Sequence, residues 1–245
     1  MTRYKLVIEY DGAGFVGWQR QTNGLSVQQV LEEAVRAFCG EEAASVAAGR
    51  TDAGVHAIGQ VVHLDIAKAA DAATVRDAIN FHMRPHAVAV LAAEPVPEDF
   101  HARFSATSRR YRYRVLNRPA RPVLERGRAW WVPAPLDLAA MRDAARLLIG
   151  RHDFSSFRAA ECQASSPVKT LDLLEIARAD EIVSLEARAR SFLHHQVRNM
   201  MGTLKLVGEG KWSPEEVRRA LDARDRAAAG PTAPAEGLYL VEVTY

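Results

Sequence analysis

Nine consecutive residues, Gly49-Arg50-Thr51-Asp52-Ala53-Gly54-Val55-His56-Ala57, gather a guanidinium, a hydroxyl, a carboxylate and an imidazole into one short stretch. Apolar runs flank it, Ala43 to Ala48 before and Val61 to Ile66 after, so it reads as a turn held between strands. Asp and Gly also stand where an ordinary tight turn would place them. A second reactive group lies at Ser191 to Gly202, where His194, His195 and Arg198 open a helical pattern running to about Val207. On a helix Arg198 would lie at i+4 from His194 and i+3 from His195. Adjacent histidines do not match the i, i+4 spacing of helical metal sites, and no Cys/His or Glu/His repeat adds ligands, so no metal is expected. Arg198 sits among Val197, Met200, Met201 and Leu204, and a charge on a half-buried helix needs an anionic partner. Asp52 is the candidate, and such a pair would keep its carboxylate ionised and able to act as a nucleophile.

Gly12, Gly14 and Gly17 spell a literal G-x-G-x-x-G after a strand. A dinucleotide site needs those glycines to open a helix directly. Here they run into Trp18-Gln19-Arg20-Gln21-Thr22-Asn23-Gly24, and the next helix starts only after Ser26. No cofactor is expected. A surface loop carrying Phe15, Trp18, Gln19 and Arg20 reads instead as a clamp for a base or a backbone. From Arg103 to Arg128 there are nine arginines and one acid, Glu125. Arginine without lysine favours phosphate, whose oxygens match the guanidinium fork. Within this stretch Arg110, Arg112 and Arg114 alternate with Tyr111, Tyr113 and Val115, the period of a strand. Tyrosines and arginines therefore take opposite faces, and some of the arginines are expected to serve the surface or salt bridges. Arg121 lies in the loop Pro119 to Arg128 that follows.

The elements that must position these groups follow the order β-α-β-β-α-β twice. The first set is Arg3–Tyr10, a helix Val27–Phe38, strands near 45–49 and 58–66, a helix capped by Thr74 and a strand 87–96. The second begins with the Tyr/Arg strand and ends with a strand over 237–244. The expected fold is therefore α+β, two ferredoxin-like halves in a pseudo-twofold arrangement with a cleft between them, divided as 1–104 and 105–245. The first half holds 9 Lys/Arg against 13 Asp/Glu and the second 23 against 17, so the basic excess lies in the second. Cys39 and Cys162 are too few for a disulfide framework, and neither a leader pattern nor a membrane-length apolar run is present, which points to a cytoplasmic chain.

The GRTDAGVHA stretch at 49–57 resembles the catalytic motif of the TruA family of tRNA pseudouridine synthases. So, in order, do YDGAGFVGWQRQ at 10–21, RRYRYRV at 109–115, DFSSFR at 153–158, FLHHQVRNMMG at 192–202 and AEGLYL at 235–240. The resemblance implies a homodimeric enzyme that needs no cofactor and isomerises uridine to pseudouridine at positions 38, 39 and 40 of the tRNA anticodon stem-loop. It implies Asp52 as the catalytic residue, Tyr111 against the target base, Arg198 paired with the catalytic carboxylate, and Arg50 in contact with RNA. Arg110, Arg112, Arg114 and Arg121 would add phosphate contacts. Whether Asp52 attacks C1′, attacks C6 or removes a ribose proton stays open. The rival readings are an RNA-binding module without catalysis, a pyrimidine methyltransferase using Cys162, and an aspartyl-phosphate hydrolase, which would want a D-x-D pair that Asp52 lacks.

Overall fold

The computed structural model describes residues 1–245 and contains ten strands and five α-helices. The chain divides into two compact units, Met1–Thr107 with Tyr239–Tyr245, and Ser108–Leu238.

The first unit starts with β1 (Thr2–Tyr10), α1 (Val27–Cys39), β2 (Val46–Ala47), β3 (His56–Ile66), α2 (Ala72–His82) and β4 (Val88–Val96). β1 lies between β4 and β3, antiparallel to both, and β2 pairs antiparallel with the far edge of β3. This is the 4-1-3-2 order of a ferredoxin-like sheet. Ser26 caps α1 by accepting from the Gln29 amide, and Val27, Val30, Leu31, Ala34 and Val35 form its buried stripe. α2 is capped by Asp71 rather than by the expected Thr74. Thr74 is the residue whose amide and hydroxyl donate to the Asp71 carboxylate. Opposite β1, the register of β3 slips between the pairs Ile8↔Gln60 and Tyr10↔Ala57. Such a bulge bends a strand and re-aims the residues beyond it. It sits directly after the turn that carries Asp52.

The second unit contains β5 (Ser108–Leu116), β6 (Trp130–Trp131), α3 (Leu138–Arg146), β7 (Gly150–Asp153), β8 (Val168–Ala179), β9 (Ile182–Ala189), α4 (Gln196–Gly208) and α5 (Pro214–Ala223). Its strands run in the order β5-β9-β8-β7, with β6 beside β5. The short β7 opens on Gly150, whose φ of 105° only glycine adopts freely. Tyr113, Phe154, Phe157, Met141 and Leu148 are among its largest fully buried side chains.

The final strand β10 (Leu238–Thr244) pairs parallel with β3, Tyr239 opposite His56 and Leu240 opposite Ala57. Residues 239–245 thus belong to the first unit, which differs from a division into 1–104 and 105–245. Sequence order alone does not reveal it, because the strand completes a sheet begun more than a hundred residues earlier.

Candidate active site

β2 ends at Ala47, and the turn that follows is fixed by buried polar groups. The Gln60 side-chain amide donates to the Gly49 carbonyl at 2.7 Å and to the Tyr10 hydroxyl at 3.4 Å. The Tyr10 hydroxyl and Thr51 Oγ1 are 2.8 Å apart and share a hydrogen bond in which either oxygen can donate. Burial pushes the Tyr10 phenol up to about 12, partly offset by its hydrogen bonds to Thr51 and Gln60, so it stays neutral at neutral pH.

The loop 11–18 crosses this turn backbone to backbone. The Trp18 amide donates to the Thr51 carbonyl at 3.0 Å, and Gly17 forms an antiparallel bridge with Asp52. Beyond Asp52 the chain reverses. The Val55 amide donates to the Asp52 carbonyl at 3.1 Å, and Gly54 takes φ 78°. The glycines of the G-x-G-x-x-G pattern now have a physical reason. A Cβ at Gly12 would fall 2.1 Å from the Val55 oxygen, and one at Gly17 would fall 2.7 Å from the Thr51 oxygen. Two of the three let a loop lie against the Asp52 turn, whereas Gly14 has open space. Only a short 3-10 turn, Gly12–Gly14, follows β1, so no helix is offered to a pyrophosphate. Phe15 and Trp18 are buried, which corrects their reading as an exposed clamp. The loop folds inward over the turn and takes its aromatics into the core.

Asp52 is half-buried between these backbone ties, and Arg50 is exposed beside it. The imidazole of His56 is buried, accepts the Gly12 amide at Nδ1 (3.0 Å) and stacks on Tyr239 with ring centroids 4.6 Å apart. Sequence reasoning gave His56 no role. The only signal was its place at the end of the turn.

In the second unit, Tyr111 stands on β5 with 9% of its surface exposed, its ring edge-on to Phe192 at 5.1 Å. Tyr113 is fully buried, donates to the Pro234 carbonyl at 2.7 Å, and is held well above the ordinary tyrosine range by burial. The opposite face of β5 carries arginines of unequal freedom. Arg112 pairs with Glu186 across to β9, and Arg114 pairs with Glu125 at 2.9 Å. Arg121 is exposed, as is Arg126, and Arg110 is half-buried.

Arg198 lies half-buried on α4. Its Nε donates to the Ala233 carbonyl at 2.8 Å, and the Ala233 amide returns a bond to the Arg198 carbonyl at 3.2 Å. α4 opens at Gln196, not at His194. His195 takes φ 62°, the left-handed region, and the Gln196 side chain accepts the Leu193 amide at 2.8 Å. The histidines therefore precede the helix, so their spacing from Arg198 is not that of a helical face as expected.

The profile of the tRNA pseudouridine synthase family matches residues 6–105 and 144–245. Proteins named tRNA pseudouridine synthase A from Paramagnetospirillum magneticum and Rhodospirillum centenum are each 62% identical over 245 residues. The match covers all of this chain in both cases, with 96% of the first relative and 100% of the second. A protein of the same name from Rhodospirillum rubrum is 59% identical over 245 residues, covering all of this chain and 88% of its own.

Proposed function

This chain belongs to the tRNA pseudouridine synthase family and is an isomerase that converts uridine to pseudouridine; we propose that its targets are uridines 38, 39 and 40 of the tRNA anticodon stem-loop and that Asp52 carries the reaction. The observation that supports this most directly is the setting of Asp52. It is the sole carboxylate of the turn, and its backbone is tied through Gly17 on one side and Val55 on the other. Isomerisation breaks the bond from C1′ to N1 and forms one from C1′ to C5. N1 gains a proton, and the hydrogen of C5 is released to water. No electron is gained or lost. An ionised carboxylate is the starting form for each route, whether it attacks C1′, attacks C6 or takes a ribose proton, and an ordinary aspartate is ionised at neutral pH.

A stem base must first leave its stack, at a cost of a few kcal/mol. Tyr111 is proposed to lie against the flipped pyrimidine and keep water out while the base turns. Arg50 is proposed to contact the RNA backbone, Arg198 to bind substrate, and the exposed Arg121 to hold phosphate together with Arg110 and with whatever Arg112 and Arg114 contribute beyond their ion pairs. The active species is proposed to be a cytoplasmic homodimer, tested by sedimentation at micromolar concentration.

The experiment is tritium release from tRNA carrying 5-tritiated uridine, with chemical mapping of pseudouridine in the product. Wild-type protein should release tritium without added cofactor and place pseudouridine at 38, 39 and 40. Asp52→Asn and Asp52→Ala should bind the same tRNA and release none. Turnover by either variant at the wild-type rate removes Asp52 from the reaction, and pseudouridine confined to other positions removes the anticodon assignment.

A further inference from the structure

His56 is 2% exposed and stands four residues beyond Asp52, at the first position of β3. Two neighbours compete for its Nδ1. The Gly12 amide lies 3.0 Å away and donates to it, and the Asp11 Oδ1 lies 3.2 Å away. One ring nitrogen cannot serve both. To accept from Gly12 it must be unprotonated, which leaves the ring neutral with its proton on Nε2. To bond Asp11 it must carry a proton, and the buried Gly12 amide would then lose its acceptor. Asp11 Oδ1 already receives the Ala13 amide at 3.0 Å. The neutral ring is therefore the state that closes the loop.

The loop so closed is the one that lies on Asp52. Its near end is fixed by Gly12 on His56, and its far end by the Gly17 bridge to Asp52 and the Trp18 amide on the Thr51 carbonyl. The loop is also anchored away from the turn. The Asp11 amide donates to the Ala87 carbonyl at 3.1 Å, and Gln28 of α1 donates to the Trp18 carbonyl at 2.9 Å. His56 is held in turn by the face of Tyr239. We propose that His56 is a positioning residue for Asp52: it fixes the Gly12–Gly17 loop, and the loop fixes the backbone of Thr51 and Asp52 at the angle the reaction uses. This rests on Asp52 being the residue that reacts.

Two substitutions separate the hydrogen bond from the ring. His56→Phe keeps an aromatic face for Tyr239 and removes the acceptor. His56→Asn places an amide oxygen close to the former Nδ1 and removes most of the stack. With protein concentration corrected for the folded fraction, His56→Phe should lower kcat about ten- to a hundredfold, because small misplacements of a reacting group cost that much. KM for tRNA should stay within about twofold, since binding is not what the loop controls. His56→Asn should recover a large part of the lost kcat. In the wild-type protein the nitrogen-15 signature of His56 should show a bare Nδ1 and a protonated Nε2. The proposal is overturned by a wild-type kcat in folded His56→Phe, by His56→Asn being no better than His56→Phe, or by a protonated Nδ1. Asp52→Asn is run beside them. If it is inactive while His56→Phe is normal, the positioning role alone fails. If it is active, the assignment of Asp52 fails first.

Discussion

Tyr10 shows how one buried hydroxyl can order the Asp52 turn. Its phenol joins Gln60 to Thr51, and both partners lie in or beside the turn. Tyr10→Phe is expected to cost on the order of 1 kcal/mol, the usual net value of a hydrogen bond, read from urea denaturation at neutral pH. The pH dependence has a definite sign. The folded phenol titrates near 12 against 10.0 for the free group, so its contribution is intact below pH 10 and is lost as pH rises from there toward 12. Tyr113 acts in the same direction, so Tyr10→Phe should shrink the alkaline loss rather than abolish it. At the acid end, the hydrogen bond from Arg3 holds the Asp65 carboxyl below its usual range. That stability is present above the unfolded carboxyl value, about 3.9, and is lost as pH falls through the lower folded value. Arg3→Met is expected to flatten the acid limb of the denaturation midpoint plotted against pH. That the stretch around Asp52 is a turn between strands was legible from residue type and the flanking apolar runs alone. His56 was not, because an imidazole is informative only once its acceptor and donor partners are known.

Among the elements, the loop 11–18 is defined by what its glycines exclude. Gly17→Ala should be strained twice, by its φ of 111° and by the 2.7 Å approach to the Thr51 oxygen. A loss of about 3 kcal/mol or more is expected, with tritium release falling further than the folded fraction, measured by denaturation and assay on one preparation. Gly14→Ala meets open space and should be close to neutral, which makes it the control. The same three glycines were visible in the sequence, but their spacing belongs to more than one kind of loop. Only the contact with Val55 and Thr51 tells which. Elements with strong local signals were readable: Ser26 before α1 and the alternation of β5. The misreadings came where tertiary contacts decide. Asp71 outcompetes Thr74 as a cap, and His195 turns left-handed and delays α4. The arginines of β5 divide the same way. Arg112→Ala breaks a pair with Glu186, so it should change stability more than tRNA affinity, whereas Arg121→Ala should weaken tRNA binding and lower its salt slope by about one. Filter binding over a range of salt concentrations reads both.

Across the whole molecule, the chain leaves its first unit at Thr107, builds the second over Ser108–Leu238, and returns at Tyr239. The ferredoxin-like order of the first unit was legible from the alternation of helix and strand patterns. The return was not, since β10 pairs with a strand far away in sequence. No helix is long and apolar enough to cross a membrane. A chain ending at Leu238 still contains Asp52, Tyr111 and Arg198, yet it should release no tritium and should lose stability in the unit that lacks its strand. Normal turnover by that truncation would show β10 to be dispensable. Synthesis adds an order in time. As the polypeptide emerges from a ribosome, the Asp52 turn appears early and waits through the making of an entire second unit before Tyr239 arrives to cover His56. A nascent or prematurely released chain therefore carries Asp52, the carboxylate proposed to react, in an unfinished setting, and activity is expected only once translation has passed through the closing strand.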